Sequence, residues 1–81
     1  MTSGSETLAR RIVCEVWAYT GGDMTRWAMV HSIARRLMLR DAEEIDRAIV
    51  FARERGWVEL QGMYSVKLTA EARRLFKTSC F

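Results

Sequence analysis

The sequence of 81 residues contains no proline, one histidine and two cysteines. Cys14 and Cys80 stand at opposite ends of the chain, and no CxxC spacing occurs. His31 cannot complete a zinc set with them at a recognised spacing. We therefore expect no metal and no cofactor. The two cysteines are interpreted as one buried and one exposed thiol in a reducing compartment.

Long apolar runs are also absent, and none approaches the length of about 20 residues that a membrane-spanning helix needs. Residues 1–5 lack the charged and apolar regions of a signal peptide. We therefore expect a cytoplasmic protein that does not bind a membrane. No serine or cysteine is set beside a base, and no glycine-rich loop follows a predicted strand. The sequence thus predicts a protein that is not an enzyme.

Length and charge limit the architecture and the partners. Eighty-one residues make one domain, which we place at residues 6–77 between a disordered N-terminus (1–5) and a frayed C-terminus (78–81). The formal net charge is +3, and 11 of the 13 cationic side chains are arginine. Because arginine suits phosphate and carboxylate alike, this excess supports a polyanionic partner only weakly.

The strongest structural pattern begins at Asp41. This residue is predicted to cap a helix, with Glu44 as its capping-box partner, and Gly56 is predicted to end that helix in a left-handed conformation. Between them, one apolar face recurs at helical spacing: Ile45, Ala48, Ile49 and Ala52. We therefore expect a helix over residues 41–55.

A hairpin and a last helix are predicted to follow. Residues 57–60 and 64–68 are β-prone, and the connection between them is short and contains glycine. Thr69 is the predicted cap of the last helix. Three apolar residues of that helix are expected to return to the core: Ala72, Leu75 and Phe76.

The first helix is predicted over residues 6–19, with Ser5 as its cap. Its apolar arc is wider than one small core needs: Leu8, Ala9, Ile12, Val13, Val16, Trp17 and Tyr19. Either the helix is central and packs on two sides, or its second face meets another copy of the protein.

A second helix is predicted over residues 24–39, ahead of a very short turn that favours a steep crossing with the next helix. Its inner face is expected to hold Val30, Ile33, Ala34 and Leu37. Ala28, Ser32 and Arg35 are expected to point outward. Trp27 and Met29 are interpreted as the edge of the core, and His31 as a solvated or locally bonded side chain.

Three segments share a further pattern. Residues 33–37 read IARRL, the helix within residues 45–58 ends in Gly-Trp-Val, and residues 66–73 read VKLTAEAR. Together with the order of elements, they resemble the winged helix-turn-helix superfamily, and locally its small bacterial MarR and PadR regulators. Ala72 stands where that family has glycine. The resemblance implies a mainly α fold with a small β-hairpin: a three-helix core, a wing and a short C-terminal helix.

The same resemblance implies a function and a site. Residues 30–37 would form the supporting helix, residues 41–55 the recognition helix that enters a major groove, and residues 61–63 the wing tip. The protein would be a small DNA-binding transcriptional regulator that acts as a homodimer, and we expect it to self-associate through the first or the last helix. Cations around the recognition helix would contact the phosphates of double-stranded DNA: Arg26, Arg35, Arg40, Arg47 and Lys67.

Two other interpretations of these residues remain. Each cation can be an ordinary solvated charge, and Arg47 and Arg53 can pair with Glu43 and Glu54 on neighbouring turns. Alternatively, the domain is a protein-interaction module, because the third helix shows carboxylates and apolar groups where DNA-reading helices usually carry hydrogen-bond donors. The candidate residues of that surface are Glu43, Asp46, Val50 and Phe51.

Overall fold

The computed structural model describes residues 4–62, 64–78 and 80. Four helices and three strands follow one another in this part of the chain: α1 (Gly4–Thr20), β1 (Ala28–Met29), α2 (Val30–Arg36), α3 (Ala42–Glu54), β2 (Val58–Gln61), β3 (Ser65–Leu68) and α4 (Ala70–Phe76). The strands form an antiparallel sheet in the order β1-β3-β2. The fold is thus mainly helical, with a small three-stranded sheet. Among the described residues, no helix is both long enough and apolar enough to span a membrane.

Helix α3 forms where its local signals predict. The side chain of Asp41 accepts hydrogen bonds from the backbone N–H groups of Glu43 (3.0 Å) and Glu44 (3.3 Å), so it satisfies two donors at the start of the helix. At the other end, Gly56 has φ +77°, a conformation that glycine adopts without steric strain. The predicted cap and end of this helix are confirmed. The capping box is not formed, because among the described residues the side chain of Glu44 makes no hydrogen bond back to Asp41.

The hairpin is confirmed to within one residue at each strand. Val58 pairs with Leu68 and Glu59 with Lys67, so alternate residues of β3 point to opposite faces. Val66 and Leu68 are buried in the core, whereas Lys67 points away from it. Met63, at the predicted wing tip, lies outside the described residues.

The predicted helix over residues 24–39 is wrong in its first part. Ala28 pairs with Val66 and Met29 with Ser65, and the backbone N–H of Val30 donates to the carbonyl of Tyr64 (2.8 Å). Because a strand alternates its faces, Ala28 is buried and its neighbours are exposed, opposite to the predicted outward position of Ala28.

Helix α2 occupies only the second part of the predicted segment. Ile33 is buried in the core, and Val30, Ala34 and Leu37 pack against it half-buried, so the predicted inner face is confirmed. Met38, just beyond the helix, has φ +58°, and this left-handed residue turns the chain toward α3.

The wide apolar arc of α1 is buried inside the chain itself. Leu8, Ala9, Ile12, Val13 and Val16 are all buried, and the helix packs against α3, α2 and the sheet. This packing favours the interpretation of a central helix covered on two sides.

Both ends of α1 differ from expectation. The helix begins at Gly4, so Ser5 lies within it rather than capping it. Tyr19, at the other end, was predicted on the core-facing side of the helix but is 36% exposed. Residues 1–3 of the predicted disordered N-terminus lie outside the described residues.

The cysteines do not remain free thiols. Cys14 of α1 is joined to Cys80 by a disulfide, with 5.2 Å between their Cα atoms. The backbone N–H of Cys80 also donates to the carbonyl of Phe76 (3.3 Å), so Cys80 is tied to the end of α4. The prediction of two free thiols is therefore wrong. Since disulfides persist mainly in oxidising environments, the cysteines no longer support a cytoplasmic location.

Candidate nucleic-acid interface

The solvent-facing side of α3 carries the predicted side chains Glu43, Asp46, Arg47 and Val50, all exposed. Residues 41–55 contain five carboxylates and three arginines, whereas the rest of the chain contains ten Lys or Arg and five carboxylates. The segment that resembles a recognition helix is therefore the acidic part of a basic protein. The carboxylates of this segment would repel phosphates that approach α3.

Phe51 does not belong to the exposed face of α3, contrary to its predicted place on an exposed protein-interaction surface. Its ring lies edge-on to Trp57, with 5.8 Å between ring centres. The guanidinium of Arg55 covers it at 4.8 Å from the ring centre. Phe51 is half-buried against the core, and the apolar contribution to the exposed face reduces to Val50.

Two shallow grooves run beside α3. One separates it from the hairpin and is lined in part by Asp46, Arg53 and Leu60. The other separates it from α2 and is lined in part by Asp46 and Tyr64. Asp46 thus stands at both grooves, with the exposed ring of Tyr64 on one side and a guanidinium on the other.

Two cations come together at Tyr19: Arg26, which was predicted, and Arg36, which was not. The guanidinium of Arg26 lies 6.0 Å from the centre of the Tyr19 ring, and that of Arg36 lies 5.9 Å from the same centre. Arg35 lines a shallow pocket with Tyr19 and Arg36. The loop before β1 and the outer side of α2 therefore place three arginines around one tyrosine.

Lys67 lies beside a second exposed aromatic ring. Its ammonium group is 4.7 Å from the centre of the Trp27 ring and 3.4 Å from a carboxylate oxygen of Glu59, its partner in the β2–β3 register. Trp27 directly follows Arg26 in the chain, so consecutive residues connect the two aromatic sites. We call Tyr19, Trp27, Arg26, Arg36 and Lys67 the cation–aromatic strip.

Arg40 and Arg47 stay apart from this strip in the chain, in the α2–α3 connection and on α3. Both are exposed. Within the described residues, no ion pair includes Arg47 or Arg53, so the predicted pairing with Glu43 and Glu54 is not present. The guanidinium N–H groups of Arg40 and Arg47 therefore remain available to donate hydrogen bonds to a ligand.

Sequence reasoning placed Tyr19 on a core face and Trp27 at the core edge, and it did not single out Arg36. The sequence offered no signal for the strand, because Trp27, Ala28 and Met29 are all apolar and only their burial alternates. The contacts of Arg26 and Arg36 with Tyr19 join three separate segments, and no local pattern predicts them.

Asp23 shapes the turn that leads to Arg26. Its carboxylate accepts from the Thr25 hydroxyl (2.7 Å) and the Thr25 backbone N–H (2.8 Å). These hydrogen bonds, together with the nearby charges of Arg26 and Arg73, lower the pKa of Asp23 from its ordinary value. Because the folded-state pKa is the lower one, the stabilisation is present above the ordinary pKa and is lost as the pH falls through the folded-state value.

The described residues contain no group of three or more His, Cys, Asp or Glu side chains that could hold a metal ion. Comparisons with protein-family models, with curated proteins and with solved structures find no match to this chain.

Proposed function

We propose that this protein is a winged helix-turn-helix domain that binds double-stranded DNA as a transcriptional regulator, and that it acts by binding rather than by catalysis. The observation that carries the proposal is the order of elements, α1-β1-α2-α3-β2-β3-α4, with the sheet order β1-β3-β2. That order sets the β2–β3 hairpin beside α3, which supports a recognition helix with a wing at its side.

In this proposal α3 enters the major groove and the hairpin lies over the adjacent backbone. Arg40 and Arg47 donate to phosphates or base edges, since both are exposed at or near the start of α3. Glu43 and Asp46 accept from cytosine amino groups or repel phosphates, depending on register. The acidic character of α3 predicts weak binding, because its carboxylates repel phosphates.

The test is a titration of labelled duplex DNA at several salt concentrations, with amide NMR shifts to locate the face. Arg47→Ala is expected to weaken binding to all sequences and to lower the slope of log affinity against log salt by about 1. Arg11→Ala is the matched control, because Arg11 is exposed on α1 beside the disulfide and carries the same charge. Equal effects of the two variants, or no binding at low salt, would contradict the proposal.

A protein partner on α3 is the second candidate function. It is favoured by Val50, whose side chain is 42% exposed on a face that also carries Glu43 and Asp46. The double variant Glu43→Gln, Asp46→Asn separates the two functions. It would bind duplex DNA more tightly if α3 contacts phosphates, and it would lose a specific partner if α3 binds protein.

The proposal of a homodimer is supported by an exposed apolar side chain on α4. Leu8, Ala9, Ile12, Val13 and Val16 of α1 are buried within the domain, whereas Leu75 of α4 is 45% exposed. A small domain gains stability by burying such a side chain against a second copy.

A further inference from the structure

We propose that the cation–aromatic strip binds single-stranded nucleic acid, at a site separate from the α3 face proposed for duplex DNA. Tyr19 and Trp27 are 36% and 37% exposed, so part of each ring is open to solvent. Each ring has at least one cationic group within 6.0 Å of its centre. Exposed rings beside cations are what single-stranded nucleic acid requires, because bases stack on rings while phosphates pair with the charges.

Cation–ring contacts and chain order link the members of the strip. Arg36 and Arg26 contact one ring, Arg26 is followed in the chain by Trp27, and Lys67 contacts the second ring. Arg35, exposed at the same pocket as Tyr19, extends the charge at one end. Both rings are therefore within reach of a chain of a few nucleotides.

Nearby carboxylates reduce the net positive charge of the strip. Cations that are already paired with a carboxylate are less available to bind phosphate. Glu15 pairs with Arg36 and Glu59 with Lys67. Asp23 is engaged by Thr25. Arg26 and Arg35 have no ion-pair partner among the described residues, so these two guanidiniums are assigned to phosphate contact.

Base stacking and phosphate pairing have different roles in this proposal. A base can stack on the exposed part of the Tyr19 ring, and Trp27 offers the larger ring. Stacking tolerates any base, so the strip binds with little sequence preference. A duplex hides its base faces and cannot use the rings.

The test is the fluorescence anisotropy of a labelled oligothymidylate of about 12 nucleotides, titrated with the full chain at low and then physiological salt. Tyr19→Leu and Trp27→Leu are each expected to weaken binding at least about fivefold, the loss of one stacked base. Tyr19→Phe keeps the ring and is expected to retain wild-type affinity. Circular dichroism checks that each variant is folded.

Matched controls locate the site. Tyr64→Leu removes a tyrosine that is 69% exposed beside α3, and it should leave oligothymidylate binding unchanged. Arg26→Ala should weaken binding, whereas Arg11→Ala, with the same change of charge, should not. Loss of binding in Tyr64→Leu but not in Tyr19→Leu would overturn the proposal, as would absence of binding at low salt.

The duplex titration keeps the two proposals distinguishable. Arg47→Ala should affect duplex DNA and not oligothymidylate, and Tyr19→Leu should do the reverse. Loss of both ligands in either variant would mean one shared site and would contradict a separate strip.

Discussion

Thr69 joins two elements through one hydroxyl group. Its oxygen accepts from the backbone N–H of Ala72 (3.1 Å), and its hydrogen is donated to the carbonyl of Gly56. The first contact caps α4, and the second holds the start of α4 against the end of α3. A single side chain therefore links the last helix to the turn that precedes the hairpin.

Replacing Thr69 tests both contacts at once. Thr69→Ala is expected to lower the free energy of unfolding by about 1–2 kcal/mol, since the cap and a part-buried hydrogen bond are lost together. Urea denaturation monitored by circular dichroism measures it. Thr69→Ser keeps the hydroxyl and should lose less; equal losses in the two variants would mean that the methyl group, not the hydroxyl, stabilises this junction.

Single residues were predicted well where the signal was a local hydrogen bond. Asp41 and Thr69 cap their helices as expected, because a cap involves only the next three residues. Phe51 and Tyr19 were assigned from helical spacing alone, and their exposure was wrong. Spacing gives the direction of a side chain on its helix but not which neighbouring element covers it.

At the scale of elements, α4 also shows that helical spacing alone does not predict which side chains are buried. Phe76 is buried, lies edge-on to Trp57 at 4.9 Å between ring centres, and is covered by Arg10. Leu75 was also expected in the core, yet it is exposed. Adjacent residues on a helix point about 100° apart, so a narrow contact surface buries one and leaves the other in solvent.

These two neighbours provide an element-scale prediction. Phe76→Ala should lower the free energy of unfolding by about 3–5 kcal/mol, because it leaves a cavity beneath Trp57. Leu75→Ala should change it by less than about 0.5 kcal/mol in the monomer. Light scattering on Leu75→Ala then tests the homodimer: an unchanged mass would remove the support that α4 gives to self-association.

Strand β1 is the element that sequence reasoning missed. Two residues carry too little pattern to predict a strand, and the helical spacing of the residues that follow extended the predicted helix backwards. Ala28 and Met29 become a strand because β3 offers unpaired backbone groups at its edge. The outward turn of Trp27 follows from this pairing, and one end of the cation–aromatic strip depends on it.

At the scale of the whole molecule, the Cys14–Cys80 disulfide connects the first helix to the C-terminal end of the chain. It joins residues 66 positions apart, so it closes most of the chain into one loop. Cross-linking so large a loop restricts the unfolded ensemble strongly. For a domain that buries a modest core, this link contributes a large share of the stability.

Reduction of the Cys14–Cys80 bond should lower the free energy of unfolding by about 2–4 kcal/mol. The measurement is urea denaturation with and without a dithiol reductant. The double variant Cys14→Ser, Cys80→Ser is the control, since it should match the reduced protein and show no response to reductant. A wild-type curve unaffected by complete reduction would mean that the packing around α1 and α4 alone determines the stability.

The sequence by itself determined the parts of this protein whose causes are local. The bounds of α3, the β2–β3 hairpin and the cap of α4 follow from neighbouring residues that satisfy one another's backbone groups. The acidic character of residues 41–55 within a basic chain is likewise a property of the sequence. Tertiary structure decided the rest: the pairing of β1 with β3, the burial of both sides of α1, the Cys14–Cys80 bond and the meeting of Arg26 and Arg36 at Tyr19. Each of these contacts joins segments distant in the chain, and its energy exists only once the core has brought them together.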